Sequence, residues 1–339
     1  MKIAELGEFG LIERIRAHFL VSDKDVIVGI GDDVAVLASR ADLAWLATCD
    51  VQVEGSHFLR EKTSPRDLGW KALAINVSDV ASAGGRPRFA LVSLGLPPDL
   101  GVEYVDELYV GMREAADAYG LSIVGGNMTK SESLFVDIFL LGEARREDVM
   151  LRSGAHAGDK IMVTGQLGDA AAGVALLLKP ELTASATYAA TARARRDRPT
   201  PRPREGALVA RSHLASAMID LSDGLSSDLG HICEQSHVSA RVFANHIPAA
   251  AENKALSRKA HGSEWHFALH GGEDYELLFT APSANARELA RIVEGESGTP
   301  VSTIGEVLPP GVRSELILPD GTAAGLTTLG WDHFRSAGA

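Results

Sequence analysis

Apolar residues recur at two spacings along the chain, and the spacing separates helices from strands. A helical period over residues 8–19 predicts an amphipathic helix. Residues 26–30 and 44–48 are short runs rich in β-forming residues, each followed by glycine or aspartate, and these runs predict strands. The beginning of the chain is therefore expected to alternate between helix and strand.

The clearest predicted helix begins after residue 64. Ser64, Pro65 and Asp67 occupy the positions of an N-cap, a first helical residue and a first-turn acid, and one apolar face continues to about Ala83. Further on, the pattern predicts strands at 89–96, 121–124 and 134–141 and a helix over 102–119. The first half is thus predicted to be mixed α and β.

A second series of elements follows a turn-like segment at 154–159. It comprises strands at 160–164 and 217–220 and near residues 239, 267, 275, 301 and 315, with helices at 168–178, 205–216 and 224–236. Single cores stop growing at about 250–300 residues, so a chain of 339 residues predicts two domains, which we place at 1–148 and 149–339. The predicted fold class is α/β with mixed sheets.

The segment 180–205 is rich in alanine, threonine, arginine and proline. This composition predicts an exposed connector with at most a helical start. A direct role of its arginines in phosphate binding is the alternative.

Composition excludes several classes of protein. The chain is 45% apolar and 23% charged, which is typical of a globular enzyme. A net charge of -12 argues against a general nucleic-acid binder, because phosphate backbones require clustered Lys and Arg. The two cysteines have no CxxC spacing, and no apolar run reaches the ~20 residues of a membrane span. With no signal-peptide pattern, we expect a cytoplasmic protein that binds neither nucleic acid nor membrane.

The candidate chemistry lies in short segments that combine glycine with aspartate or, at 124–129, with asparagine. They are residues 29–33, 48–58, 76–85, 124–129, 219–228 and 270–278, and several of them end predicted strands. The glycine-rich loops GxxxxGK[ST] and GxGxxG are absent from the sequence. If ATP is bound, carboxylate-held metal must replace such loops, and Mg²⁺ prefers oxygen ligands. These features predict a Mg²⁺-dependent, ATP-using phosphotransferase.

Each segment also has a plainer explanation. Asp32 and Asp33 could form only a turn, and His57 could be structural, although its polar surroundings favour ligand or substrate contact. Ser222 or Asp223 could simply cap a helix, whereas a helix N-terminus there would also attract phosphate. Asp79 lies among small residues on a predicted helix, where a bound cation would offset the cost of burying its charge.

Taken in order, these segments resemble the thiamine-monophosphate kinase family of the aminoimidazole ribonucleotide synthetase-like superfamily. The resemblance covers nearly the whole chain and rests on residues 7–9, 31–33, 53–58, 76–79, 151–155, 219–224, 271–277 and 330–334. It implies ATP-dependent phosphorylation of thiamine monophosphate to thiamine diphosphate with several Mg²⁺ ions. It also implies an N-terminal domain that binds ATP and Mg²⁺ and dimerises through its sheet, and a C-terminal α/β domain that closes the cleft. A homodimer is the expected assembly.

The resemblance assigns roles to individual residues. It implies the metal ligands Asp33, Thr48, Cys49 through its backbone, Asp50, Asp79, Asn127, Asp220 and Asp223. It implies ATP contacts by Tyr109, Gly126, Asn127, Arg152 and Ser222, substrate contacts by His57, Glu273 and Trp331, and catalytic roles for Asp220, Asp223 and Arg152. Asn127 and Cys49 depart from the aspartate and threonine that family members often carry, so one metal site is expected to be weaker.

Two alternatives stay open from the sequence. One is an enzyme of the same superfamily with another acceptor, such as an aminoimidazole ribonucleotide synthetase-like, selenide-activating or hydrogenase-maturation protein. Selenide activation would require a reactive cysteine near the N-terminus, which the sequence lacks. The other is a non-catalytic nucleotide sensor, which the loss of charge at Asn127 motivates.

For the kinase, the phosphate oxygen of the acceptor is already charged, so we expect direct in-line transfer without a strong general base.

Overall fold

The computed structural model of the protein describes residues 24–40 and 42–326, together with residue 12. The helix predicted over 8–19 lies, apart from residue 12, outside the described residues. Trp331 also lies outside them, as do the motifs at 7–9 and 330–334.

The first of two sheets has six strands in the order β1-β2-β3-β6-β4-β5. Its strands are β1 (Val26–Val28), β2 (Ala35–Ala38), β3 (Leu43–Val53), β4 (Arg86–Leu96), β5 (Ser122–Lys130) and β6 (Phe135–Arg145). The edge strand β5 runs parallel to β4, whereas β6 runs antiparallel to both β3 and β4. Helices α1 (Pro65–Ser82) and α2 (Val102–Tyr119) cover one face.

Helix α1 begins as the sequence predicts. Ser64 is the N-cap, its hydroxyl accepts a hydrogen bond from the backbone amide of Asp67, and Pro65 occupies the first helical turn. The residues of α1 are mostly buried because the helix packs against the first sheet on one side and contacts strand and helix residues of the second half on another. This central position brings side chains of α1 to both halves of the protein.

Close contact between α1 and α2 depends on two glycines. A Cβ at Gly69 would lie 1.9 Å from the carbonyl oxygen of Leu108, and one at Gly111 would lie 1.8 Å from that of Arg66. Any larger residue at either position would force the helices apart. Between the helices and the sheet lies a core that includes Leu73, Met112 and other buried apolar side chains.

The second sheet has seven strands in the order β13-β12-β9-β11-β7-β10-β8. Its strands are β7 (Lys160–Thr164), β8 (Ala217–Asp220), β9 (Ser239–Phe243), β10 (Leu277–Ala281), β11 (Val301–Leu308), β12 (Glu315–Ile317) and β13 (Ala323–Gly325). All of its pairs are antiparallel except β12 with β9. The prediction of an α/β fold with mixed sheets is confirmed.

Helices cover both faces of the second sheet. They are α3 (Asp169–Leu178), α4 (Ala186–Asp197), α5 (Pro203–Ser212), α6 (Leu225–Ser236), α7 (Ala251–His261), α8 (His266–His270) and α9 (Ser283–Ser297). On one face the buried residues Leu229 and Ile232 of α6 pack against Ile219, and on the other Leu289 of α9 packs against Phe279. Alternate residues of each strand therefore contribute to different cores.

Two predictions for the second half are wrong. The strand predicted near residue 267 is the short helix α8, whose residues Phe267 and Leu269 are buried. The segment 180–205 is not a solvated loop, because it contains α4 with buried Tyr188 and Ala192. Both errors have the same cause, since a short segment is ordered by tertiary contacts that its local pattern does not reveal.

Part of segment 180–205 fastens the second half of the chain to the first. The guanidinium of Arg198 lies 4.4 Å from the centre of the Trp70 ring and hydrogen-bonds to Glu114 at 2.6 Å. The indole N–H of Trp70 donates to the carbonyl oxygen of Pro199 at 2.8 Å. Arg202 forms two hydrogen bonds with the buried Glu276 of the second half. We call residues 198–202 the interdomain clasp.

In the part of the chain that the structure describes, no helix is long and apolar enough to cross a membrane.

Candidate active site

The first part of the candidate site lies where strand β3 packs against helix α1. Thr48 and Asp50 alternate with outward-facing residues of β3, so both point toward the helix-covered face. The hydroxyl of Thr48 donates a 2.5 Å hydrogen bond to Asp79 on α1. Asp50 lies close enough to Asp79 for its negative charge to raise the pKa of the latter.

Asp33 joins the same cluster from the loop after β1. Its side chain is 3% exposed, and its Oδ2 accepts a 2.7 Å hydrogen bond from Ser82 of α1. Its Oδ1 accepts from Nε of Arg152 at 2.9 Å, and a second guanidinium nitrogen also contacts it. The backbone amide of Arg152 donates to Asp32 at 3.2 Å. Arg152 is thus held against both neighbouring aspartates.

Asp220 reaches the cluster from the second half of the chain. It ends strand β8, is 2% exposed, and accepts a 2.6 Å hydrogen bond from the hydroxyl of Ser78 on α1. Asp33, Asp79 and Asp220 therefore come from a loop, a helix and a strand that lie far apart in sequence. Helix α1 contacts the loop of Asp33 through Ser82, strand β8 through Ser78 and strand β3 through Asp79.

Mutual repulsion and burial make this cluster a site for positive charge. Burial, followed by repulsion from Asp33, raises the pKa of Asp220 to about 8. Burial and then Asp50 and Asp220 raise the pKa of Asp79 well above its usual value. The pKa of Asp32 rises to about 6, first through burial and then through Asp33. Burial by itself would lower the pKa of Arg152, but Asp33 reverses that effect, and the net shift is upward. A cation bound here would relieve the repulsion.

Asp223 lies in a second acidic group at the start of α6. Single ligand atoms of Asp223, Asp228 and His231 all lie within 4.8 Å of one another. Asp228 accepts hydrogen bonds from the backbone amides of Asp223, at 3.2 Å, and of Gly224, at 3.0 Å. Neither Ser222 nor Asp223 is the N-cap, because Gly224 occupies that position. Two of the amides expected to face phosphate thus bind a side chain of the protein.

Glu273 lies beside this turn, in a loop with an unusual backbone. Its φ is +68° and that of Tyr275 is +49°, a left-handed conformation that costs energy for residues with a side chain. Backbone hydrogen bonds of 2.8 Å hold the loop, from Glu273 to the carbonyl of Ser222 and from Tyr275 to that of Leu221. The carboxylate of Glu273 forms an ion pair with Lys71 of α1.

His57 contributes to the turn after β3, and Tyr109 contributes to the core of the first sheet. The Nδ1 atom of His57 accepts a 3.0 Å hydrogen bond from the backbone amide of Val53, which fixes the turn after β3. Tyr109 is half-buried on α2 and packs against the core of the first sheet, and burial raises its pKa. Their roles in binding substrate and ATP stay predictions.

Asn127 lies on the other face of the first sheet from Asp50. Register places Asn127 opposite Ser93, Ser93 opposite Asp137, and Asp137 opposite Val51, so these residues share the outer face. Three strand spacings separate Asn127 from β3, which is roughly 14 Å. One chain therefore does not bring Asn127 and Asp50 to a common metal ion.

Cys49 and Gly126 also have structural explanations on this sheet. The side chain of Cys49 points to the outer face of the sheet. Burial, and then the nearby negative charges of Asp137 and Asp50, raise the pKa of the thiol. That orientation agrees with a backbone contact to metal and excludes the thiol from the Thr48–Asp79 cluster. A Cβ at Gly126 would lie 1.9 Å from the carbonyl oxygen of Val92, so close strand contact requires glycine there.

Sequence reasoning missed the residues that orient the acids. Ser78 and Ser82 lie on either side of Asp79 in sequence and are four residues apart, so they share one side of the predicted helix. This spacing could have predicted that both hydroxyls face the acidic cluster. Lys71 is a charged residue in the most apolar part of α1, which also could have marked it. Asp228 gave no local signal, because its partners are backbone amides.

Comparison with known proteins agrees with this two-part architecture. Residues 31–144 match the model for "AIR synthase related protein, N-terminal domain" and residues 156–316 match that for the C-terminal domain. A solved structure described as "AaThiL complexed with AMPPCP and TMP" has a TM-score of 0.83 and 37% identity, covering 98% of this chain and 99% of its own. Fold and site thus define a two-domain AIR synthase-related protein.

Proteins of similar sequence identify the family within this class. The thiamine-monophosphate kinase of Aquifex aeolicus is 39% identical over 305 residues, which cover 87% of this chain and 94% of the relative. The enzyme of the same name from Escherichia coli (strain K12) is 37% identical over 331 residues, or 97% of this chain and 99% of the relative. The chain belongs to the thiamine-monophosphate kinase family.

Proposed function

We propose that the protein transfers the γ-phosphoryl group of ATP to thiamine monophosphate and forms thiamine diphosphate. The observation that carries the proposal is the convergence of Asp33, Asp79 and Asp220 on one largely buried cluster in a chain of this family. A related structure was solved with AMPPCP and TMP, which supports these two substrates.

The donor set fits Mg²⁺. Asp33, Thr48, Asp50, Asp79 and Asp220 supply oxygen atoms. Burial, and then repulsion from neighbouring carboxylates, raises the pKa values of Asp79 and Asp220, and a bound cation would oppose both effects. We propose that these residues, with Asp223 and the backbone of Cys49, hold several Mg²⁺ ions. When bound, the metal neutralises phosphate charge in the transition state. Asn127 remains a proposed ligand whose distance from β3 excludes it from the Asp50 site of the same chain.

The residues of the chain supply position and charge. Arg152 is anchored by Asp33 and Asp32, so one fixed cation faces the phosphate groups of the two substrates. The nucleophile is a phosphate oxygen of the acceptor, which already carries negative charge, and transfer is directly in line without a general base. Neither Asp220 nor Asp223 needs to form a covalent intermediate.

Substrate contacts follow from the family resemblance. We propose that His57, Glu273 and Trp331 bind thiamine monophosphate, and that Tyr109, Gly126, Asn127, Arg152 and Ser222 contact ATP. Glu273 has structural support, because its loop hydrogen-bonds to Ser222 and so lies beside the acidic cluster. A carboxylate at this point can accept hydrogen bonds from, or attract, the cationic thiamine ring system.

We further propose a homodimer that forms through the outer face of the first sheet. Helices cover the inner face, whereas Val51, Phe89, Leu91 and Phe139 are 36–44% exposed on the outer one. An apolar sheet face of this kind is typical of an interface.

We place the domain division at 1–148 and 149–339, since β6 ends at Arg145 and β7 begins at Lys160. A cytoplasmic location is part of the proposal, and both cysteines are free thiols.

An assay with ATP, Mg²⁺ and a panel of acceptors tests the function. The expected result is thiamine diphosphate from thiamine monophosphate, with no ATP consumption when formylglycinamidine ribonucleotide or selenide replaces it. ATP binding without any product would instead favour the nucleotide sensor. Product from another acceptor alone would favour a different enzyme of the superfamily.

A further inference from the structure

Lys71 is a buried cation in the apolar helix α1. Its side chain is 5% exposed, and its ammonium group forms an ion pair with Oε1 of Glu273, whose side chain is 28% exposed. Burying an ammonium group is costly unless a charged partner offsets the lost hydration. Glu273 supplies that partner from the other half of the chain, so the pair spans the two sheets.

Lys71 belongs to a row of donors along one face of α1. Ser78 follows it by seven residues and Ser82 by eleven, spacings that return to the same side of a helix. The three side chains contact Glu273, Asp220 and Asp33 respectively. A single rigid helix thus contacts both the phosphate-handling acids and the loop of Glu273.

The backbone and the side chain of Glu273 are fixed by different partners. The hydrogen bond from its amide to Ser222 determines where the loop lies, while the ion pair with Lys71 determines where the carboxylate points. The ion pair uses Oε1, and no described residue donates a hydrogen bond to Oε2. That oxygen is available to a donor or cationic ring of a bound acceptor.

We propose that Lys71 is a positioning residue that orients Glu273 and thereby sets the affinity for the acceptor. This inference rests on the proposed function, because it takes thiamine monophosphate as the acceptor. Lys71 holds the carboxylate at a fixed place relative to Asp79, which lies on the same helix. The acceptor is therefore bound with its phosphate near the acids, and ATP binding does not depend on the pair.

Steady-state kinetics of the full-length protein test the proposal. Lys71→Met keeps the length of the side chain and removes its charge, and Lys71→Arg keeps the charge. We expect Lys71→Met to raise KM for thiamine monophosphate about 10-fold or more while KM for ATP changes less than about twofold, because a hydrogen bond between charged groups typically contributes about 10-fold or more. Lys71→Arg should restore most of the acceptor affinity. Lys160→Met is the matched control, since it removes a more exposed lysine that pairs with Glu306.

A double-mutant cycle separates positioning from general damage. Glu273→Gln should raise the same KM, and adding Lys71→Met to it should bring little further change, because the two residues act through one contact. Equal rises in both KM values, or independent effects in the double variant, would overturn the role of Lys71. If Lys71→Met does not fold, Lys71→Arg decides: wild-type KM for ATP and near-wild-type KM for the acceptor support the role, and parallel rises contradict it. Absence of wild-type turnover would contradict the proposed function itself.

Discussion

Ser78 donates a 2.6 Å hydrogen bond to Asp220, so a side chain of α1 directly contacts the end of a strand in the second sheet. The bond favours the charged form of Asp220 and opposes the effect of burial on its pKa. The bond engages Oδ2 of Asp220 and so fixes the orientation of the carboxylate. One hydroxyl thus affects both the orientation and the charge of a proposed metal ligand.

Replacing Ser78 with alanine should weaken Mg²⁺ binding about 10-fold, the range seen when a partner of a metal ligand is lost. The pKa of Asp220 would rise further, so protons would compete better with the metal. Isothermal titration with Mg²⁺ and a nucleotide measures the change, and excess Mg²⁺ should restore turnover. Ser212→Ala is the control, because the Ser212 hydroxyl bonds to the backbone of Val209 and Leu214, away from the acidic cluster. Unchanged Mg²⁺ affinity in Ser78→Ala would contradict the role of this bond.

The fall in stability with rising pH should become smaller when Mg²⁺ is added. The folded pKa of Asp220, about 8, lies above its ordinary value of 3.8, so the folded metal-free protein binds more protons than the unfolded chain between these limits. Its stability should therefore fall as the pH rises through that range. Mg²⁺ displaces those protons, so the rise in Tm on adding Mg²⁺ should grow from pH 6 to pH 8. Thermal unfolding over this range measures both trends, and a constant Mg²⁺ effect would contradict the assignment.

The interdomain clasp should contribute to stability. Trp70→Phe keeps an aromatic ring near Arg198 and removes the hydrogen bond to Pro199. We expect a loss of about 1 kcal/mol in the free energy of unfolding, the usual net value of one such bond. Chemical denaturation measures this loss. Trp265→Phe is a comparison, because the ammonium group of Lys254 lies 4.3 Å from the centre of the Trp265 ring within the second half. An unchanged stability for Trp70→Phe would show that the hydrogen bond between Trp70 and Pro199 contributes nothing to stability.

The outer face of the first sheet should control assembly. Leu91 is 44% exposed in the middle of that face, and Leu91→Asp would place a charge in the proposed interface. Analytical ultracentrifugation should find a dimer for the wild type and a monomer for this variant. Val102→Asp is the control, because Val102 is 71% exposed at the start of α2, which packs on the opposite face. A wild-type monomer at micromolar concentration would contradict the proposed dimer.

The sequence correctly predicted those helices whose position depends on residues close together in the chain. The N-cap at Ser64 and the helix at Val102–Tyr119 were predicted because capping chemistry and apolar period act within a few residues. The helix at His266–His270 was not predicted, since five residues are too few to show a period. Helix α4 was missed because its proline- and arginine-rich surroundings suggested a loop, whereas tertiary contacts bury it.

The site was predictable in its acids but not in its connections. Asp33, Asp79 and Asp220 stood out because each follows or interrupts an apolar element next to glycine or serine. Their respective hydrogen-bond partners, Arg152, Thr48 and Ser78, lie far from them in sequence and contact them only in the folded protein. Strand register decided the positions of Cys49 and Asn127, and register between distant strands cannot be read from either segment alone.

Direct observation of the product tests the central claim most directly. ³¹P NMR of a reaction containing ATP, Mg²⁺ and thiamine monophosphate should show ADP and thiamine diphosphate appearing in equal amounts. With Asp220→Asn the rate should fall at least about 100-fold, as when a group that stabilises transition-state charge is lost, while circular dichroism remains that of the folded protein. The account would be contradicted if the wild type formed no thiamine diphosphate, or if Asp220→Asn formed it at the wild-type rate.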